Sequence, residues 1–265
     1  MYKAFNFKIS QTEFRGKFPE YVDLTFTPSN LFTKTTMDGA VKSLWTLNAD
    51  EIRKTWFSEC QIDIFLSHSR KDIELAKMFG AYMQKVFGLN VFIDSEAWYH
   101  MDTMLKELDR KYCVSERNPD GTVKTYSYDN RNVTTAHVHM ILSHALTKMI
   151  DNAECFIFLN TENSTTRQDE SSIDTLSPWL FHELAIVEFI EEKKPQPISE
   201  GFTCDSADNR SYGPSLKYSV ETKRLRSLTL DQVKLWQDHF FLRQIKKTSQ
   251  PLSILYDIVD RRTRV

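Results

Sequence analysis

Three short, nearly continuous apolar runs, Gln61–Ser67, Asn90–Asp94 and Ala153–Thr161, constrain the fold of this chain more than any other feature. Each has the length of a strand and carries β-branched or aromatic members. A run that is apolar on both faces suits a strand covered on both sides of a parallel sheet. Between the first two runs lies a helical stripe, Leu75, Met78, Phe79, Tyr82, Val86 and Phe87, which Gly88 ends. Strand, helix and strand over about 62–94 make one βαβ unit. Between the second and third runs the pattern predicts a short helix near Met101–Lys111 and a polar stretch, Cys113–Thr134. A long helix on Val138, Ile141, Leu142, Ala145, Leu146, Met149 and Ile150 follows. Within the polar stretch, Asn118-Pro119-Asp120-Gly121 is a turn signal, and the tyrosines at 126 and 128 suit a small hairpin arm. Alternation of strands with amphipathic helices throughout 60–192 predicts an α/β fold. The expected architecture is a flavodoxin-like parallel sheet with helices on both faces and strand 62–67 at its centre.

The flanks read differently. Residues 1–59 hold strand-like pieces at Tyr2–Ile9 and Tyr21–Phe26, then helical patterns at Met37–Leu47 and Ala49–Phe57, without a catalytic grouping. They are expected to form an N-terminal extension packed on the main domain or on a partner. The main domain spans 60–245 with an inserted arm at 113–134, and 246–265 forms a C-terminal helix and basic tail. Beyond the third run come a polar loop, Glu162–Leu176, a helix opening at Ser177, and a second loop, Lys194–Gly213. Leu216–Val220 reads as a fourth strand, Leu228–Leu242 as a helix, and Pro251–Asp260 as the last helix.

Composition excludes some functions. A formal net charge of -2 gives no global footprint for nucleic acid, so no direct nucleic-acid partner is expected. The first residues lack an apolar signal core and no run reaches membrane-spanning length, so a cytoplasmic protein without a membrane partner is expected. Cys60, Cys113, Cys155 and Cys204 are scattered, without the paired spacing of a zinc site, and reduced thiols are expected. His137 and His139 are two apart and face different ways on a helix, so no metal site is expected. The seven glycines write no phosphate-binding loop of either common kind.

The chemistry gathers elsewhere. Ser177 suits a helix N-cap and Pro178 the first helical position, where a missing N–H costs nothing. Trp179 and Glu183 then fall one turn apart on one face. An indole beside a carboxylate suits a ligand with a flat cationic ring and a ribose. A core Trp with a solvated Glu is the alternative. At the end of the first strand, Ser69 suits a cap, with Asp72 completing a capping box. Asp94 leaves the second strand at its carboxyl end, where open α/β sheets place their ligands.

In this order the pieces resemble the Toll/interleukin-1 receptor (TIR) domain family, especially its bacterial members. Asp63-Ile64-Phe65-Leu66-Ser67-His68-Ser69-Arg70-Lys71-Asp72 looks like the family's first signature, and Val91-Phe92-Ile93-Asp94 like its second strand. Phe156–Asn160 stands where the third strand should, and Trp179-Leu180-Phe181-His182-Glu183-Leu184 fits the family's W-x-x-x-E-L. The resemblance covers about 60–245. The loop after the second strand departs from the usual Gly-Asp-Ser-like sequence, reading Trp98-Tyr99-His100-Met101-Asp102-Thr103, and the 113–134 arm is foreign to the minimal fold.

The resemblance implies an enzyme that cleaves NAD, its substrate rather than a cofactor, in bacterial antiviral defence. It implies Glu183 as the catalytic carboxylate, which the N-terminal half of its helix should keep ionised. Ser67, His68 and Ser69 would bind ribose or phosphate, or simply begin the helix. Arg70 and Lys71 would meet the pyrophosphate or stay solvated, and Asp94 would touch substrate or serve as a turn residue. Trp98 and Trp179 would stack on a ring or pack. Expected partners are other copies of the chain, through a Trp98–Met104 loop, and a separate effector protein that answers the product. A non-catalytic TIR scaffold and a nucleotide receptor without turnover are the competing readings.

Overall fold

The computed structural model describes residues 1–28, 62–167, 173–193, 218–244 and 250–262, except the side chains at 96–101, 104, 244, 261 and 262. The helical patterns at Met37–Leu47 and Ala49–Phe57, the loop Lys194–Gly213, Cys60, Cys204 and the end of the basic tail lie outside the described residues.

In chain order the described elements are β1 (Lys3–Lys8), α1 (Gln11–Lys17), β2 (Ile64–Ser67), α2 (Ile73–Phe87), β3 (Val91–Ile93) and α3 (Ser95–Tyr112). Then come the hairpin β4 (Val114–Arg117) and β5 (Val123–Tyr126), α4 (Tyr128–Asn152), β6 (Cys155–Asn160), β7 (Thr166–Arg167) and β8 (Ile173–Thr175). The chain closes with α5 (Pro178–Phe189), β9 (Tyr218–Ser219), β10 (Arg226–Leu228), α6 (Leu230–Gln244) and α7 (Pro251–Arg262).

Five strands form one sheet in the order β10-β1-β6-β2-β3, and every pairing in it is parallel. Side chains alternate across it with the period of two that strands impose. Phe5, Phe7, Ile64, Leu66, Val91, Ile93, Ile157 and Leu159 face one core, packed against α1, α2, α6 and α7. Ala4, Phe65, Phe92, Phe156 and Phe158 face the other, against α3, α4 and α5. Helices therefore cover both faces, as expected, and burying each phenylalanine contributes about 1.5–3 kcal/mol. Two glycines have a specific use. Gly88 ends α2 at φ 68, a left-handed conformation. Gly80 lets α2 approach closely, since a Cβ there would sit 2.8 Å from the Phe26 ring.

Taken from β2, the spatial order β3-β2-β6-β1-β10 matches the 2-1-3-4-5 arrangement of flavodoxin-like sheets, with one change of connection. The fourth position is filled from the amino terminus. Residues 3–8, assigned by sequence to an extension, pair with β6 along their whole length and with β10 on the other side. A strand with neighbours on both edges is part of the sheet, so the boundary near residue 60 does not separate it from the main domain. The central strand is accordingly β6, with β2 next to it, rather than β2 itself.

Other expectations shift as well. α3 begins at Ser95, directly after the second strand, so Trp98–Met104 is helical backbone rather than a loop. Cys113–Thr134 does hold a hairpin, and its turn places Gly121 at φ 83. The Glu162–Leu176 stretch carries β7 and β8, which join β9 in a small antiparallel sheet. Of the expected Leu216–Val220 strand, Tyr218–Ser219 thus joins that small sheet, while the fifth parallel strand is Arg226–Leu228.

Candidate functional site

Parallel strands all end on the same edge of a sheet, so the ends of β2 and β3 lie side by side. Register pairs Leu66 with Ile93, which makes the next residues, Ser67 and Asp94, neighbours. His68 and Ser69 follow Ser67 and lead into a short turn, Arg70–Asp72, before α2. Above this edge α5 starts as the sequence predicts. Ser177 accepts a hydrogen bond from the Leu180 amide at 3.3 Å, and Pro178 occupies the first turn. Leu180, Leu184, Ile186 and Val187 bury α5 against the sheet, and Glu183 comes down among them with no exposed surface.

Ser67 donates its hydroxyl proton to Glu183 Oε2 at 2.6 Å. Asp94 lies close enough that its charge and a direct carboxyl–carboxyl contact both act on Glu183. His68 Nδ1 stands 2.5 Å from Asp94 Oδ1. That contact is short but badly aligned for a hydrogen bond, and His68 Nε2 and Glu183 Oε1 are buried without any partner. Native structures leave few such atoms unsatisfied, so two of them in one cluster call for an explanation. Four side chains thus converge: Ser67 at the end of β2 and His68 just beyond it, Asp94 beyond β3, and Glu183 from α5.

Electrostatics run against one expectation. Burial, first, and the neighbouring Asp94 charge, second, push the Glu183 carboxyl well above the ordinary carboxylic range, while the Ser67 hydrogen bond pulls weakly the other way. Burial thus works towards the protonated form in this closed arrangement. The helix dipole is worth only about 0.3–1 kcal/mol at exposed sites and does not offset the desolvation of a fully buried charge.

The remaining candidates stand apart from this cluster or outside it. Ser69 begins the short turn through its backbone carbonyl, which accepts from the Asp72 amide at 2.7 Å, and no side-chain cap forms. The capping box is absent because the Asp72 carboxylate is taken by Thr161 at 2.5 Å and Asn163 at 2.7 Å. Arg70 and Lys71 are exposed on that turn. Trp179 is half-buried, its indole edge-on to His139 of α4 at 5.4 Å, so it and Glu183 address different neighbours despite their spacing. His182 turns its Nε2 to the Ser143 carbonyl at 3.3 Å. The Trp98 side chain lies outside the described residues. Sequence reading had no means to see His68 and Asp94 as a pair, although the strand register that joins them follows from the βαβ unit.

Among the described residues, no group of His, Cys, Asp and Glu is arranged to hold a metal ion, and no helix is long and apolar enough to cross a membrane. No family model, no curated protein and no solved structure matches the chain.

Proposed function

We propose that this chain is an enzyme that cleaves NAD at the bond between nicotinamide and ribose, with Glu183 as the catalytic carboxylate. The observation that carries the reading is the meeting of Glu183 with Ser67 and Asp94, and of Asp94 with His68, at the carboxyl edge of a parallel sheet. Open α/β sheets place ligands at that edge, and unpartnered buried polar atoms there favour a ligand site. The resemblance to NAD-cleaving TIR domains supplies the choice of substrate.

The chemistry needs little equipment. Nicotinamide in NAD is a cation bonded through its ring nitrogen to the ribose C1′. It leaves with the electron pair of that bond and becomes neutral, so no general acid is required. Positive charge develops on the ribose, and a preorganised carboxylate stabilises it. Glu183 must be ionised for this task, whereas the ligand-free cluster favours its proton. The substrate resolves the conflict. A cationic ring brought beside Glu183 favours the carboxylate form, as opposite charges do at short range. Because Glu183 and His68 are covered, binding must also open the edge above them. The product, ADP-ribose or a cyclic or conjugated form of it, would act as a defence signal read by a separate effector. Self-association of the chain remains part of the proposal, with Trp98–Met104 taking part as helix.

Complete burial of Glu183 also favours a second reading, a TIR-like scaffold in which the carboxyl is a structural element. Incubation of purified protein with NAD, alone and with an infected-cell extract, separates the two. Nicotinamide release that Glu183→Gln abolishes is expected. Equal release by Glu183→Gln and by the control Glu188→Gln overturns the assignment.

A further inference from the structure

We infer that His68, oriented by Asp94, is the general base that takes the proton from the attacking hydroxyl in the proposed cleavage. The inference rests on the NAD-cleaving reading and adds a second catalytic residue to it.

The geometry carries the assignment. His68 Nδ1 approaches Asp94 Oδ1 to 2.5 Å, and a carboxylate that close favours the tautomer with the proton on Nδ1. In a neutral imidazole, Nε2 is then the acceptor. It is buried, it has no hydrogen-bond partner, and His68 is 3% exposed. An acceptor with no donor, on an imidazole steered by a carboxylate, is the arrangement by which acyl-transfer enzymes prepare a base. Glu183 is reached through the same Asp94, so base and charge-stabilising carboxyl share one site. Two further titratable side chains among the described residues are otherwise engaged. His182 faces the Ser143 carbonyl, and Asp72 binds Thr161 and Asn163.

The step balances without a further reagent. As the C1′–nitrogen bond breaks and nicotinamide leaves with its electron pair, a water oxygen forms the new bond to C1′. Its proton passes to His68 Nε2, giving an imidazolium held by Asp94, and is returned to solvent when ADP-ribose departs. A hydroxyl of the substrate itself would use the same base to give a cyclic product.

The test is rescue by a nucleophile that carries no proton. Kinetics of nicotinamide release are measured for wild type, His68→Gln and Asp94→Asn, with and without sodium azide. Loss of kcat by about a hundred- to ten-thousand-fold in His68→Gln is expected, with KM little changed. Azide should restore nicotinamide release and yield an ADP-ribosyl azide detectable by mass spectrometry. Asp94→Asn keeps the imidazole and the local volume, and should show the same rescue, which covers the case that His68→Gln does not fold. Wild-type kcat in His68→Gln, or low kcat in folded variants that azide leaves unchanged, overturns the inference while leaving Glu183 in place. A wild type that releases no nicotinamide at all overturns the NAD-cleaving reading itself.

Discussion

Ser67 Oγ and Glu183 Oε2 lie 2.6 Å apart in the buried edge of the sheet, although 116 residues separate them in the chain. The serine hydroxyl fixes the carboxyl on one side and leaves Oε1 without a partner. Ser67→Ala removes that fixing bond without adding bulk. A buried acceptor left unsatisfied costs about 1–3 kcal/mol. Chemical denaturation should show a loss of that order, and nicotinamide release should fall.

Glu183→Gln tests the charge and not the shape. Glutamine resembles the protonated carboxyl that burial favours, so fold and melting temperature should hold near neutral pH. Nicotinamide release should fall by about a hundred- to a thousand-fold, the usual effect of losing one preorganised electrostatic group. Release assays paired with thermal melts check both halves.

Acidity makes a third expectation. Burial raises the carboxyls of Asp63 and Glu154, as it does Glu183. Each binds its proton more tightly folded than unfolded. The stability this contributes is complete below the unfolded carboxylic range, about pH 4, and is lost as pH rises through the folded values. Glu183→Gln removes one of the three titrations. Its melting temperature should therefore gain on the wild type as pH rises, and a constant difference across pH would count against a protonated Glu183.

Substrate binding should release protons. If a cationic nicotinamide turns Glu183 into a carboxylate, its proton departs on binding. Calorimetry with a non-cleavable NAD analogue, in buffers of different ionisation heat, should detect the release in wild type and much less in Glu183→Gln.

Gly80→Ala checks the packing of α2. The new Cβ would fall 2.8 Å from the Phe26 ring and 3.3 Å from Ile93. Overpacking of this kind costs about 1–3 kcal/mol. Denaturation should show the loss, and Phe26→Leu combined with Gly80→Ala should recover part of it.

Legibility tracked how local each cause is. The strands at Ile64–Ser67, Val91–Ile93 and Cys155–Asn160 are covered on both faces, so their own residues announce them. Lys3–Lys8 is covered too, yet its lysines and Asn6 give it the look of a half-exposed strand. Lys3 is buried because Asp260 meets its ammonium at 2.6 Å, with the Tyr256 ring 5.0 Å away, and nothing near residue 3 announces either. At the site, the helix start at Ser177 and the position of Glu183 were readable from caps and spacing. The upward push on the Glu183 carboxyl and the His68–Asp94 contact were not, since both depend on which strand ends meet and how deeply.

The pairing of Lys3 with Cys155 also sets a schedule for synthesis. Once made, β1 cannot find its neighbour β6 until the residues between them have followed. Its phenylalanines must wait, and the chaperones of a cell are the natural cover for apolar surface exposed so long. Completion of the sheet then becomes a late, long-range event, slow by the usual dependence of folding rate on the separation of contacting residues. A nascent chain halted before β6 should keep its first residues open to proteolysis, and one released after β6 should protect them.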